Sequence, residues 1–361
     1  MHKVLNLRLK GFDKVASLSV KGPEKPTLVE RVVDLFPVPY WLGALILSAM
    51  IGVPGMLLGR YIDTRNINTT LSLFGKNFGW QNVVTFSLAN FVMPFYALIG
   101  IAYMRSKIVG TEPHLAVLAP DGKKTLKRVF ESVSRLWPAI ILAIPLAAVS
   151  LVSFPGQSEH IAGPLSSVVK VVGFSFAILS YGTFVWVYIS SIRGLYNLGK
   201  EPLKLVSYYE DLHLGLKPFG SLSLRLTLVY FVGIGLVFLS FLSVPTILDI
   251  ALLVLIALGV IMFFLPLRTL HHKMCEEKRL AHKALNKHFK IIADILDRPS
   301  KNIQLTMKDI RNLFALEIAE RRVSGISEWP FYLSQLRWLS AFALAIGTTV
   351  ITRYVLSFLT L

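Results

Sequence analysis

The 361-residue chain has one cysteine, Cys275, and only 16% of its residues are charged. A single cysteine excludes a disulfide-stapled scaffold. The charged share lies well below the roughly 25% of soluble domains. Together with 54% hydrophobic residues and a mean hydropathy of +0.59, it excludes a disordered chain and an ordinary cytosolic enzyme. Acidic residues are the scarcer sign, 21 against 38 Lys and Arg, for a formal net charge of +17. Catalytic signatures are missing too. There is no Walker-type loop, GxGxxG, GxSxG or HExxH, and no Ser, Cys or His in a nucleophile context. No cofactor is expected, and the missing signatures lean away from an enzyme while leaving open an interfacial one whose site residues are few and scattered.

Long apolar runs are plentiful. A membrane-spanning helix needs about 20 mostly apolar residues, and seven stretches meet that, roughly 38–59, 82–104, 137–155, 167–192, 221–243, 246–267 and 331–355. The fifth and sixth are separated only by a turn at Ser243-Val244-Pro245. The intervening segments alternate in basic content. Residues 1–36, 105–136, 193–225 and 268–337 carry 7, 7, 5 and 14 Lys/Arg, whereas 60–81 carries 3 and 156–166 none. The positive-inside rule then predicts a cytoplasmic N-terminus and an outside C-terminus. Trp41, Trp80, Trp137, Trp329 and Trp338 fall at or near span ends and Trp186 one to two turns from one, as in an aromatic belt. Nearly all the excess charge falls on the cytoplasmic side. It suits anionic lipid headgroups and removes the case for a nucleic-acid partner.

No predicted span has an ionisable residue near its centre. Lys170, Arg225, Asp249, Arg337 and Arg353 all lie within about two turns of an end, within snorkelling reach. Proton-coupled transport needs such a group at depth, so this absence argues against it. Asn90 is the polar residue at mid-span, in Ala89-Asn90-Phe91-Val92-Met93-Pro94. It fits an interhelical hydrogen bond beside a proline kink or an intramembrane ligand contact. In the last span, Ala341, Ala345 and Thr349 share one helical face and Ala343 and Gly347 an adjacent one, with Thr348 next to them and Arg353 near the outer end. Small residues four apart let helices pack closely. The same residues, with two hydroxyls and a basic outer ring, fit the lining of a pore.

The largest polar segment, 268–329, continues the sixth span without a helix breaker after Pro266. A heptad seam of Leu267, Leu270, Met274, Glu277, Ala281, Ala284, His288, Ile291 and Ile295 predicts one helix of about 50 residues, about 75 Å long. A second helix is expected over 306–322, with Met307, Ile310, Phe314 and Ile318 in one stripe. His271/Cys275 and His272/Glu276 are i,i+4 pairs that a metal could bridge, but the spacing matches no zinc pattern, and interfacial histidines on a basic helix are the simpler reading. In the loop before the fifth span, Tyr208-Tyr209-Glu210-Asp211-Leu212-His213 gathers carboxylates, a His and tyrosines. Tyr209, Glu210, Asp211 and His213 form either a cytoplasmic-rim site or charges paired with nearby basic residues. At the N-terminus, Leu5, Leu7 and Leu9, then Leu18 and Val20, alternate with polar residues around Gly11–Asp13, as in a small β-hairpin. Leu5, Leu9, Phe12 and Ala16 also fit a surface-lying helix. Asn68-Thr69-Thr70 is a glycosylation sequon in an outside loop.

The expected fold is an all-α integral membrane protein with seven transmembrane helices, N-terminus cytoplasmic and C-terminus outside, and a cytoplasmic helical extension before the last span. Its parts are a cytoplasmic N-terminal segment (1–36), a six-span bundle (37–267), a helical hairpin or oligomerisation layer (268–329) and the seventh span with the outside C-terminus (330–361). This order of elements resembles the insect odorant and gustatory receptor channels, although Thr348, Thr349 and Tyr354 do not reproduce that family's C-terminal motif. The resemblance implies a homo-oligomeric channel whose last span lines the pore. The reading is therefore a subunit of an oligomeric ion or small-solute channel in the cell membrane. The alternatives are a signalling or scaffold protein docking a soluble partner through its basic helices, an interfacial enzyme using Glu210, Asp211 and His213, and a small transporter.

Overall fold

The computed structural model describes residues 26–65, 91–119, 121–153, 164–240, 247–296 and 307–331, with scattered positions between 337 and 352. All regular structure among them is helical. In order these are α1 (Leu28–Val33), α2 (Tyr40–Arg65), α3 (Met93–Val109), α4 (Glu112–Leu118), α5 (Gly122–Phe130), a 3-10 turn (Glu131–Ser134), α6 (Leu136–Ser153), α7 (Pro164–Lys200), α8 (Lys217–Ser240), α9 (Ile247–Leu296) and α10 (Met307–Ser324). The described positions from Arg337 to Thr352 are also helical.

The sequence supplies the boundaries. A capping box starts α1: Thr27 Oγ1 accepts from the Glu30 N–H and Glu30 Oε2 accepts from the Thr27 N–H. Proline stands in the first two positions of α3 and α4, where a missing N–H costs nothing. Pro266 lies inside α9 and does not end it: α9 runs unbroken for 50 residues, as the lack of breakers after the proline predicts. α8 and α9 are separate helices on either side of residues 241–246.

Three helices are long and apolar enough to cross a membrane: Val171–Lys200, Lys217–Leu239 and Leu252–Lys290. A shorter apolar helix covers Tyr40–Gly52. The chain is thus all-helical among the described residues, with three candidate membrane-spanning helices. α7 is the hub, and α2, α3, α6, α8 and α9 all pack against it. The main core runs along it through Phe184, Val187, Tyr188, Ile192 and Leu195, meeting Leu226 and Tyr230 of α8 and Phe263, Leu267 and Leu270 of α9. A smaller core joins Val29 and Val33 of α1 to Tyr40, Ala44, Leu98 and Ala102. The candidate N-terminal hairpin, Asn90, the Asn68 sequon, Tyr354 and Arg353 lie outside the described residues.

Candidate functional site

Aromatic rings fill the centre of the bundle. Tyr188 on α7 and Tyr230 on α8 stack at 4.1 Å with 11° between their planes. The Tyr188 hydroxyl lies 3.2 Å from Thr227 Oγ1 and donates to the Gly259 carbonyl at 3.2 Å. Tyr230 donates to the Leu255 carbonyl at 3.0 Å and Tyr96 to the Val229 carbonyl at 2.8 Å. Tyr181 donates to the Gly233 carbonyl. Each hydroxyl uses a spare carbonyl lone pair on another helix, so four tyrosines cross-link α3, α7, α8 and α9. Such bonds satisfy buried hydroxyls where water is absent. Glycine makes the room. A Cβ at Gly100 would come within 2.6 Å of the Phe184 ring, and one at Gly259 within 2.7 Å of the Tyr230 ring.

The last helix contrasts with this packing. Ala341, Ala345, Thr348 and Thr349 are all exposed in the single chain, as are Leu344 and Ile351 beside them. A Cβ at Gly347 would meet nothing within 4 Å. Thr348 Oγ1 donates to the Leu344 carbonyl at 2.8 Å and Thr349 Oγ1 to the Ala345 carbonyl at 2.7 Å. The hydroxyls are thereby satisfied within their own helix while keeping lone pairs directed outward.

In the loop between α7 and α8, where Tyr209 is exposed, Asp211 closes a turn around His213. Its Oδ1 accepts from the His213 N–H and its Oδ2 from the Gly215 N–H, each at 2.9 Å. The chain then turns through Leu214 and Gly215 at φ 54 and 79. Burial pushes the Asp211 carboxyl up, but the two N–H bonds and the nearby His213 and Lys217 outweigh it and leave its pKa below the ordinary value. The His213 ring nitrogen lies 3.7 Å from Oδ1. Tyr208 and Tyr209 rings lie 4.3 Å apart, and a hydrogen bond to Tyr209, aided by burial, pushes Tyr208 up to about 12. Glu210 is exposed. Both oxygens of the one partly buried carboxylate are thus engaged in backbone bonding. A segment with its carboxylate so committed is well suited to holding a loop in place.

The most deeply buried ion pair among the described residues has no signal in the sequence. Arg105 on α3 and Glu30 on α1 form an ion pair, exposed by only 4% and 2%. Glu30 Oε2 also accepts from the Thr27 N–H and hydroxyl, each at 2.8 Å, while its Oε1 is buried without a hydrogen-bond partner. The pattern Thr27-x-x-Glu30 announces a helix start. Nothing in it points to an arginine 75 residues away.

A second lock closes the hairpin. His271 on α9 stacks on Trp329 at 4.3 Å, and its Nδ1 lies 2.7 Å from the Glu328 carbonyl. Lys278 bonds Glu328 Oε1 at 3.0 Å, whose carboxyl it holds below the usual range. Lys273 Nζ donates to the Glu201 carbonyl, and Glu201 also pairs with Arg128 at 2.8 Å. The i,i+4 pair His271/Cys275 is close, with Sγ 3.5 Å from Nε2. Among the described residues no group of three or more His, Cys, Asp or Glu converges as a metal site would.

The chain matches no known family model, no curated protein and no solved structure.

Proposed function

We propose that the chain is a subunit of an oligomeric ion or small-solute channel in the cell membrane, with seven spans, the N-terminus cytoplasmic and the C-terminus outside. One contrast carries this reading. The centre of the single-chain bundle is filled by cross-bonded aromatic rings, whereas the small and hydroxyl-bearing face of the last helix is uncovered. A conducting path through one copy would have to displace that core. A path between copies needs no such change, and would be lined by Ala341, Ala345, Gly347, Thr348 and Thr349, with Arg353 at the outer end. Asn90 would be a polar contact between spans. The basic cytoplasmic segments sit against anionic headgroups in this arrangement.

The test is purified full-length protein in liposomes, with particle symmetry in detergent measured alongside. A ring of several copies that passes a small ion or solute is expected. A monomeric particle with no flux of any tried solute overturns the reading. One observation favours a second reading, a scaffold that docks a soluble partner: from Arg268 to Lys290 the exposed sides of α9 carry Arg268, Arg279, Lys283, Lys287 and Lys290. Co-purification of a soluble acidic protein that is lost on deleting 268–325 would favour it.

A further inference from the structure

The stripe on α10 that the sequence marks as apolar is outside the fold. Met307 is 84% exposed, Phe314 62%, Ile318 61% and Ile310 39%. At 100° per residue these four lie on one face, and together with Arg311 three of them line an open hollow of about 560 Å³. The opposite face carries Ala319 and Val323, which are buried, and α10 packs there against α9. The helix is therefore already anchored by one side and leaves a second apolar side bare. So much apolar surface in one contiguous row marks a contact.

From these features we infer that α10 is where copies of this chain meet, packed in parallel around an axis along the membrane normal. Direction comes from α9. That helix continues from an apolar, membrane-length window into the hairpin without a break, and α10 returns alongside it to the His271–Trp329 stack. α10 thus stands upright at the membrane, and copies in one bilayer present it in the same direction. Charge supplies the register. Flanking the stripe on one side are Arg311 and Arg322, and on the other is Glu317, all exposed. In a parallel pair the two flanks of one helix lie against the opposite flanks of the other, which brings Glu317 beside Arg322 of the partner subunit, five residues on, as in the flanking pairs of coiled coils. An antiparallel pair would set like flank against like. Arg321, held by Glu317 at 2.7 Å, ends the apolar row. A bilayer surface is the weaker occupant, because a helix upright beside α9 cannot lay this face flat on headgroups.

The inference rests on the oligomeric reading above and is tested apart from it. Full-length protein with Cys275→Ser receives Phe314→Cys, or Asn312→Cys on the far face as a control, and is treated in liposomes with a short bis-maleimide. Both positions are exposed, so the fold is retained. Phe314→Cys should cross-link to a second copy as a covalent dimer, the limit for one thiol per chain, and Asn312→Cys should not. Glu317→Arg should abolish most of that product, and adding Arg322→Glu should restore it. If Phe314→Cys cross-links no better than Asn312→Cys, or if product forms only between Met307→Cys and Ile318→Cys chains, the inference is wrong. Should the particle nevertheless be a conducting ring, the fault lies in the interface and not in the channel reading; a monomeric particle removes both.

Discussion

Arg105 of α3 holds Glu30 of α1 in an ion pair sealed from solvent, and the capping threonine Thr27 shares the same carboxylate oxygen. A six-residue helix has little stability of its own. α1 keeps its place because this charge pair and the apolar contacts of Val29 and Val33 fasten it to α2 and α3.

Breaking one half of that pair strips a buried charge of its ion-pair partner. Glu30→Ala or Arg105→Ala should each destabilise the protein by about 3–5 kcal/mol. Glu30→Leu combined with Arg105→Met, which removes both charges, should recover most of the loss. Thermal unfolding in detergent followed by size-exclusion chromatography measures this; a double variant no better than the singles would contradict it.

Two glycines separate the packed interior from the bare helix. Gly100→Ala drives a methyl group to 2.6 Å from Phe184, a ring that a Cβ at Gly233 would also meet at 2.8 Å on another side. Overpacking there should cost about 1–3 kcal/mol, and Phe184→Leu in the same chain should return part of it. Gly347→Ala meets nothing in the single chain and adds helix propensity, so monomer stability should hold or rise by up to about 1 kcal/mol. A fall in the thermal midpoint of Gly347→Ala monomers would show that another surface already covers it.

Much of the framework was legible from composition and spacing. The apolar runs placed α7, α8 and the first half of α9, and the absence of a breaker after Pro266 carried α9 to Leu296. The stripe of Met307, Ile310, Phe314 and Ile318 was also readable, but which way it faces depends on what α9 offers opposite. In the 208–215 loop the sequence shows carboxylates, a His and tyrosines that fit either a site or paired charges, and its turn chemistry is also in view: an aspartate four residues before a glycine can close a loop on its own backbone. The Glu30–Arg105 pair and the glycine notches could not be read, because long-range partners are set by helix packing and leave no local pattern.

Asp211 makes that turn testable. Asp211→Ala removes the acceptor for two N–H groups and should cost about 1–2 kcal/mol, with faster hydrogen exchange at the amides of His213 and Gly215. Asp211→Asn keeps one good acceptor and should cost less. Equal protection of those two amides in the alanine variant and the parent would refute the assignment.

Glu328 predicts a pH dependence. Its hydrogen bond and charge contact with Lys278 hold its folded-state pKa below the ordinary 4.5. The stability it contributes is therefore complete above the ordinary value and is lost as pH falls through the lower folded-state value. Glu328→Gln should destabilise the 326–331 junction at neutral pH, and the gap from the parent should close on acidification. Hydrogen exchange of residues 326–331 across that range reads it directly; a gap that widens toward low pH would give the wrong sign.

The unbroken length of α9 also ties the aromatic centre to the hairpin. Gly259 sits at the stacked Tyr188–Tyr230 pair, and Leu296 lies about 55 Å along the axis from it at 1.5 Å per residue. Between those points Phe263, Leu267 and Leu270 are packed in the core, and His271 and Lys278 are tied to Trp329 and Glu328. A tilt of α9 at the aromatic centre would therefore carry the hairpin with it as one piece, the way a mast carries its rigging.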